Sequence, residues 1–296
     1  MKKRKSKRQK TSIFIHVVFI LFSIICVVPM ITVISASLTS STDLSFNGFS
    51  IWPSKIDTTA YAYLFENPRQ IINSYMVTIF ITAVGSFLSV LVMSMAAYSL
   101  SRRNFKFKGI ATAYIFFPTL FSGGLVSSYI INTQYLHLTD SILVLILPGL
   151  VNVFHIFMIR TFFKQLPGEL FDAAQVDGAG EWRIFFTIAL RMSKPVLATV
   201  AFLGALGRWN EWYNAMLYIR SDTKYPLQYL LQRMMNSIQE LINNMDKIPG
   251  GVNVAEIPGE NLRMALMVVC VGPMMLVFPF FQKYFAKGMT VGALKG

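Results

Sequence analysis

Charged, amide and ring-bearing side chains meet inside an apolar stretch at one place, Arg208-Trp209-Asn210-Glu211-Trp212-Tyr213-Asn214. On a continuous helix Arg208 and Glu211 stand at i,i+3 and can pair, and Trp209 and Tyr213 share the i,i+4 relation. Indole and phenol faces stack on sugar rings, while carboxylate and amide groups hydrogen-bond hydroxyls; together they make the chemistry of a sugar pocket. The same residues also suit an aromatic belt with a snorkelling arginine at a membrane boundary. Arg208 lies about 20 Å along a helix that starts at Pro195, which is the outer half of a bilayer. Asn132, Gln134 and Asn152 are weaker candidates of the same kind. Covalent chemistry has no visible machinery. His16, His137 and His155 stand far apart, Cys26 and Cys270 lie singly in apolar runs, and no metal-ligand spacing, phosphate-binding glycine loop or nucleophile elbow is present. No metal site is expected, and the chain is not expected to be an enzyme.

A second stretch is built for contact rather than chemistry. Leu166-Pro-Gly-Glu-Leu-Phe-Asp-Ala-Ala-Gln-Val-Asp-Gly-Ala-Gly-Glu-Trp-Arg-Ile-Phe-Phe-Thr-Ile-Ala-Leu190 predicts two short helices at an angle. Pro167 suits a helix start, and Glu169 and Asp172 fall in the first turn, where the helix dipole favours anions. Ala173 and Ala174 let another surface approach. Asp177-Gly178 marks the corner, and Trp182, Phe185, Phe186 and Ile188 recur at helical spacing beyond it. Such a loop suits docking into another protein. It equally suits a helical hairpin lying on a membrane surface.

The elements that carry these two stretches are membrane helices. Of 296 residues 54% are hydrophobic and 14% charged, against about 25% charged in ordinary globular chains. The mean hydropathy is +0.52 and 25 residues are Phe. A soluble chain of this size cannot cover so much apolar surface. A bilayer core needs about 20 apolar residues per helix, and six runs qualify, at 13–38, 72–100, 109–131, 141–159, 195–219 and 264–281. The predicted fold is an all-α membrane protein of six transmembrane helices and a single domain, 1–296, with a basic tail at 1–12, a loop at 160–194 and a C-terminal tail at 282–296. Both termini are placed in the cytoplasm. That choice puts 19 of the 27 Lys and Arg inside, in the segments 1–12, 102–108, 160–194 and 282–296. The net charge of +13 is thus a topology signal, and no nucleic-acid partner is expected.

The string Asp172-Ala173-Ala174-Gln175-Val176-Asp177-Gly178-Ala179, with Phe185 and Lys194-Pro195 after it, resembles the EAA loop of ABC importer permeases. Asp43–Pro53, Tyr61, Asn73-Ser74 and Ala96–Arg103 are similar to the maltose-type carbohydrate permeases over most of the chain. Lys287–Gly296 is similar to the tail of the six-span partner in that group. Ser122-Gly-Gly-Leu-Val126 resembles the branch handling larger oligosaccharides. Two positions depart from the pattern: Asp172 stands where the family has Glu, and Arg191 where it often has Pro.

The resemblance implies a type I importer permease in a bacterial cell membrane. It implies a second homologous permease subunit, two cytoplasmic ATPase subunits and an extracytoplasmic solute-binding protein, with a carbohydrate as substrate. This chain itself binds no cofactor, and ATP and Mg belong to the ATPases. Asp172, Ala173, Ala174, Asp177, Gly178, Ala179 and Phe185 carry the coupling contact. Gly292, Lys295 and Gly296 reach the ATPases as an extended tail. Arg208, Trp209, Asn210, Glu211 and Tyr213 remain candidates for the substrate pathway on their own chemistry, beside the aromatic-belt reading. Peptide or amino-acid cargo is the alternative. A proton-coupled carrier is disfavoured, because the spans hold no acid except Glu211.

Overall fold

The computed structural model describes residues 2–66, 68–243 and 259–293. Among the described residues every regular element is a helix. In chain order they are α1 (Lys2–Ser37), α2 (Ser41–Asn47), α3 (Thr59–Leu64), α4 (Pro68–Ser101), α5 (Lys108–Leu120), α6 (Gly124–Ile130) and α7 (Val153–Phe163). Then follow α8 (Gly168–Val176), α9 (Glu181–Ile184), α10 (Leu190–Met192), α11 (Lys194–Trp209), α12 (Tyr213–Tyr218), α13 (Leu227–Asn243) and α14 (Glu260–Ala293). A π-turn at Ile131–Tyr135 extends α6, and another at Phe185–Ala189 joins α9 to α10. The chain divides into two compact units, residues 1–68 with 233–272 and residues 69–232 with 273–296.

Among the described residues three helical stretches are long and apolar enough to cross a membrane: Phe14–Ser37, Pro68–Ser101 and Glu260–Gln282. They fall on the expected runs 13–38, 72–100 and 264–281. The other three runs are broken. Residues 109–131 bend by 114° between Lys108–Leu120 and Gly124–Tyr135. Gly124 holds φ +79 there, a left-handed corner that glycine adopts without Cβ strain, and Pro118 removes a backbone donor just before it. Residues 141–159 are a 3-10 turn, Ile142–Leu145, and the 11-residue α7, parted around Pro148 and Gly149. The run 195–219 stops at Trp209, and α11 meets Glu181–Met192 at 82°. Counting each bent pair as one span gives five candidates, against six expected from hydropathy.

The C-terminal stretch also differs. α14 carries the helix through Gly288 and Gly292 to Ala293, where the sequence predicts extended chain. Each glycine costs about 1 kcal/mol relative to Ala, but a nucleated helix gains a backbone hydrogen bond with every residue added. Lys295 and Gly296 lie outside the described residues.

In the first unit the end of α1 is tied down by polar contacts. Ser37 Oγ and Tyr61 Oη are 2.8 Å apart, and the Asp57 amide donates to Leu38 O at 2.8 Å. Ser41 Oγ donates to Asn261 Oδ1 at 2.6 Å, linking the start of α2 to the start of α14.

The second unit is organised by α4. Its buried stripe includes Ser74, Thr78, Ile81, Gly85, Ser89, Met93, Ala97 and Leu100. The spacing of three or four residues puts them on one face, and the small ones let neighbours approach. Val77 and Ile81 belong to one apolar cluster, with Val144, Leu145, Ala215, Tyr218 and Tyr225. Met93, Ala97 and Leu100 belong to another, with Ile156, Ile159, Phe163, Ile184 and Phe185.

Asp140 closes the first cluster. It sits at φ +54, and its carboxylate accepts from Arg220 N at 3.0 Å, Ser221 N at 2.9 Å, Ser221 Oγ at 2.6 Å and Lys224 Nζ at 2.9 Å. The Ser221 hydrogen bonds, then the Lys224 contact, hold its carboxyl well below the usual carboxylate range. Asp140→Ala should cost about 2 kcal/mol at neutral pH, since charge-assisted hydrogen bonds are lost. Because the folded pKa is depressed, this contribution is complete above about pH 4 and disappears as pH falls toward the folded value. Thermal unfolding of the detergent-solubilised chain should show a parent–variant gap that is constant from pH 5 to 8 and narrows only below about pH 4.

Candidate functional site

The loop 160–194 forms an angled pair of helices. α8 ends in three consecutive reverse hydrogen bonds, Asp177 N to Ala173 O, Gly178 N to Gln175 O and Ala179 N to Ala174 O. Gly178 takes φ +78, and a Cβ built there would meet nothing within 4 Å. The corner therefore needs glycine for its backbone angle and not for lack of room. Asp172, Ala173, Val176, Asp177 and Gly178 are exposed, Val176 at 87%. Ala174 and Ala179 are half-buried.

Phe185 is placed differently from its expected contact role. Its side chain is 2% exposed, and its ring lies 5.3 Å from that of Tyr98 on α4. It seats the loop on the helices beneath. Helical spacing alone does not say which face of a short helix is turned inward, and the apolar partners of Phe185 come from distant sequence.

A polar clamp finishes the attachment. Tyr98 Oη donates to Glu181 Oε2 at 2.6 Å, and Arg102 Nη2 and Gln175 Nε2 donate to Glu181 Oε1, each at 2.9 Å. The Arg102 guanidinium also lies 5.0 Å from the Phe171 ring centroid. One carboxylate thus joins the end of α4, α8 and α9. A cleft of about 410 Å³ opens beside it, lined by Arg102, Arg103, Lys108, Lys164, Asp172 and Gln175 among others. From sequence Tyr98, Arg102, Gln175 and Glu181 have no separate role, although Gln175 stands in the Asp172–Ala179 string. The signal available was the Ala96–Arg103 stretch.

The second candidate group is not one site. Arg208 is 8% exposed and Trp209 7%, whereas Asn210, Trp212 and Tyr213 are exposed. Arg208 does not pair with Glu211. α11 ends at Trp209, so the i,i+3 geometry is lost, and the Glu211 carboxylate instead accepts from Asn214 N and Nδ2, both at 2.9 Å. Arg208 points back into the unit. Its Nη1 donates to Gly204 O at 3.3 Å and its Nη2 to Gly149 O at 2.8 Å and to Ser89 Oγ. Gly85 makes the room: a Cβ there would lie 2.3 Å from Arg208 Nε. Of the weaker candidates, Asn132 is buried and donates to Tyr218 Oη at 3.2 Å. Gln134 is exposed, and Asn152 caps α7 by accepting from His155 N at 3.1 Å. Among the described residues no cluster of three or more His, Cys, Asp or Glu is placed to hold a metal.

Residues 74–291 match the family model described as the binding-protein-dependent transport system inner membrane component. The chain belongs to this family. The permease is 36% identical over 272 residues to the protein LplC of Bacillus subtilis (strain 168), covering 92% of this chain and 90% of that one. It is 33% identical over 290 residues to the polygalacturonan/rhamnogalacturonan transport system permease protein YtcP of the same organism, covering 98% and 100%. Its structure matches a chain of a bacterial ABC transporter involved in the import of the acidic polysaccharide alginate. There the TM-score is 0.79 and the identity 26%, with 94% of this chain and 97% of that chain covered.

The clamp gives a direct expectation for this permease. Glu181→Ala should leave Phe171 and Phe185 less well covered, because Tyr98, Arg102 and Gln175 lose their shared acceptor. Limited chymotrypsin digestion should cut the variant at Phe171 well before the parent, with no change in the yield of membrane-inserted chain. Equal cleavage rates would mean that the apolar contacts alone hold the loop.

Proposed function

We propose that the permease crosses the cell membrane of a bacterium six times, with both termini in the cytoplasm, as one of two homologous subunits of an ATP-driven importer. The short helix α7 then completes a crossing that its own length does not span, with 141–152 as the other half. The basic residues of 1–12, 102–108 and 160–194 face the cytoplasm under the positive-inside rule. Two cytoplasmic ATPases bind ATP and Mg, and an extracytoplasmic binding protein delivers cargo. The cargo is an oligosaccharide or related carbohydrate, in line with the relatives that carry polygalacturonan, rhamnogalacturonan or alginate in their names.

The observation that carries this reading is the exposed Gly178 corner. Asp172, Ala173, Val176, Asp177 and Gly178 form an open, small-faced and partly apolar surface whose opposite side is fixed to α4 through Glu181 and Phe185. Such a surface transmits force only if a partner sits on it. We assign that partner as the ATPase, with Ala174 and Ala179 at the rim of the contact. The ATP-bound state of the ATPases and the loaded binding protein then favour the same permease conformation, which is the meaning of coupling here. Gly292 on α14, with Lys295 and Gly296 beyond it, is assigned a second contact with the ATPases. The stretch 243–253, most of which lies outside the described residues, is assigned to the outer side toward the binding protein. Asn210, Glu211 and Tyr213 are assigned to the cargo pathway, with Arg208 and Trp209 behind them.

Gly178→Val tests the coupling assignment. A β-branched residue at positive φ costs about 1–3 kcal/mol locally and places a bulky group on the open face. The variant should insert and pair normally but lose most cargo-stimulated ATPase activity and uptake in proteoliposomes. Uptake at the parental rate would remove Gly178 from the contact.

A further inference from the structure

Arg208 is a buried cation that no carboxylate bonds among the described residues, with only the charge of Glu211, out of hydrogen-bond contact, near enough to attract it. An arginine stays charged at any accessible pH, and its three acceptors, Gly204 O, Gly149 O and Ser89 Oγ, are all neutral. Among the described residues no carboxylate bonds it, and the acid nearest in sequence, Glu211, is engaged by Asn214. Neutral acceptors satisfy N–H groups but do not compensate a charge held among apolar helices.

The surroundings are shaped for this side chain and leave part of it unused. A Cβ at Gly85 would lie 2.3 Å from Nε, and one at Gly204 would lie 3.3 Å from Nη1. The Nε–H has no acceptor, and the hydroxyl of Ser86, next to Gly85 on α4, has no partner, although both atoms are buried. A helix-to-helix brace has no need of a full charge or of an idle donor. The head group also lies close to an open face. Gly149, whose carbonyl it holds, is exposed, and so are Gly207 and Asn210 on either side of the Arg208–Trp209 pair.

We infer that the cargo carries carboxylates and that Arg208 is the cation receiving them in the permease, so that the substrate class is a uronate-bearing oligosaccharide. This rests on the carbohydrate reading and narrows it. The guanidinium supplies charge where a passing carboxylate would otherwise lose its hydration without compensation, and a carboxylate takes charge-assisted hydrogen bonds that hydroxyls of a neutral sugar do not match. On this reading cargo oxygens take the place of the Gly149 carbonyl or Ser89 at the outer guanidinium nitrogen.

The test uses the complete importer in proteoliposomes. Uptake of galacturonate and mannuronate trimers is compared with uptake of their carboxyl-reduced, neutral counterparts, for the parent and for Arg208→Gln. Comparing variant with parent on one cargo cancels the preference of the binding protein. The expected result is a loss of roughly tenfold or more for the acidic trimers with less than about twofold change for the neutral ones. Equal losses on both cargoes overturn the inference and leave Arg208 as a brace, or as partner to a carboxylate of the second permease. No loss on either overturns it as well. If the parent takes up neither class, the carbohydrate reading itself fails, which is a separate outcome. Should Arg208→Gln not assemble, binding to the parental solubilised complex without binding protein decides. Free-acid trimers should bind roughly tenfold tighter than their methyl esters, with the difference shrinking at high salt, and equal binding overturns the inference.

Discussion

A bilayer offers no hydrogen bonds, so every break in a helix that crosses it must be satisfied by the protein. This permease breaks three of its apolar runs, and side chains answer the breaks in 141–159 and 195–219. Asn152 caps the start of α7, and Glu211 bonds the backbone of Asn214 just inside α12. Arg208 holds the Gly149 carbonyl, and Asp140 takes the amides of Arg220 and Ser221. These four side chains are therefore first of all the partners of a discontinuous backbone. Arg208 exceeds that requirement, because a neutral donor would satisfy the same carbonyl.

α4 relates these features to one another. A helix of its length is about 50 Å long. Its first half packs on the cluster closed by Asp140, its middle opens at Gly85 for Arg208, and its last turns carry Tyr98 and lead to Arg102 beneath the loop. The same element thus supports the surface assigned to the ATPase and the buried cation assigned to the cargo. Glu181 and Phe185 join the loop to α4 directly, through Tyr98.

Much of this was legible in the sequence, and the failures have definite causes. Asp177-Gly178 read as a corner because glycine is the residue for positive φ, and φ +78 is what it adopts. The long runs at 13–38, 72–100 and 264–281 coincide with continuous apolar helices, because hydropathy and helical continuity agree there. At 109–131, 141–159 and 195–219 they do not. Window hydropathy counts apolar residues and ignores the corner that Gly124 makes or the turn around Pro148. The expected Arg208–Glu211 pair assumed a helix that ends one residue after Arg208. Its true partner Ser89 lies 119 residues away, beyond any local pattern. Phe185 belongs to the resembled motif, which says nothing of the direction of its ring, and the ring is buried against Tyr98.

The central claim is that the open face around Gly178 is where the ATPase sits. Hydrogen exchange of the Gly168–Ala179 amides, followed in the permease pair alone and in the complex with both ATPases, tests it most directly. The account predicts marked slowing across Asp172–Ala179 on assembly, while amides of α4 near Tyr98, already held by the Glu181 clamp, change little. Unchanged exchange across Asp172–Ala179 in the assembled complex would contradict it.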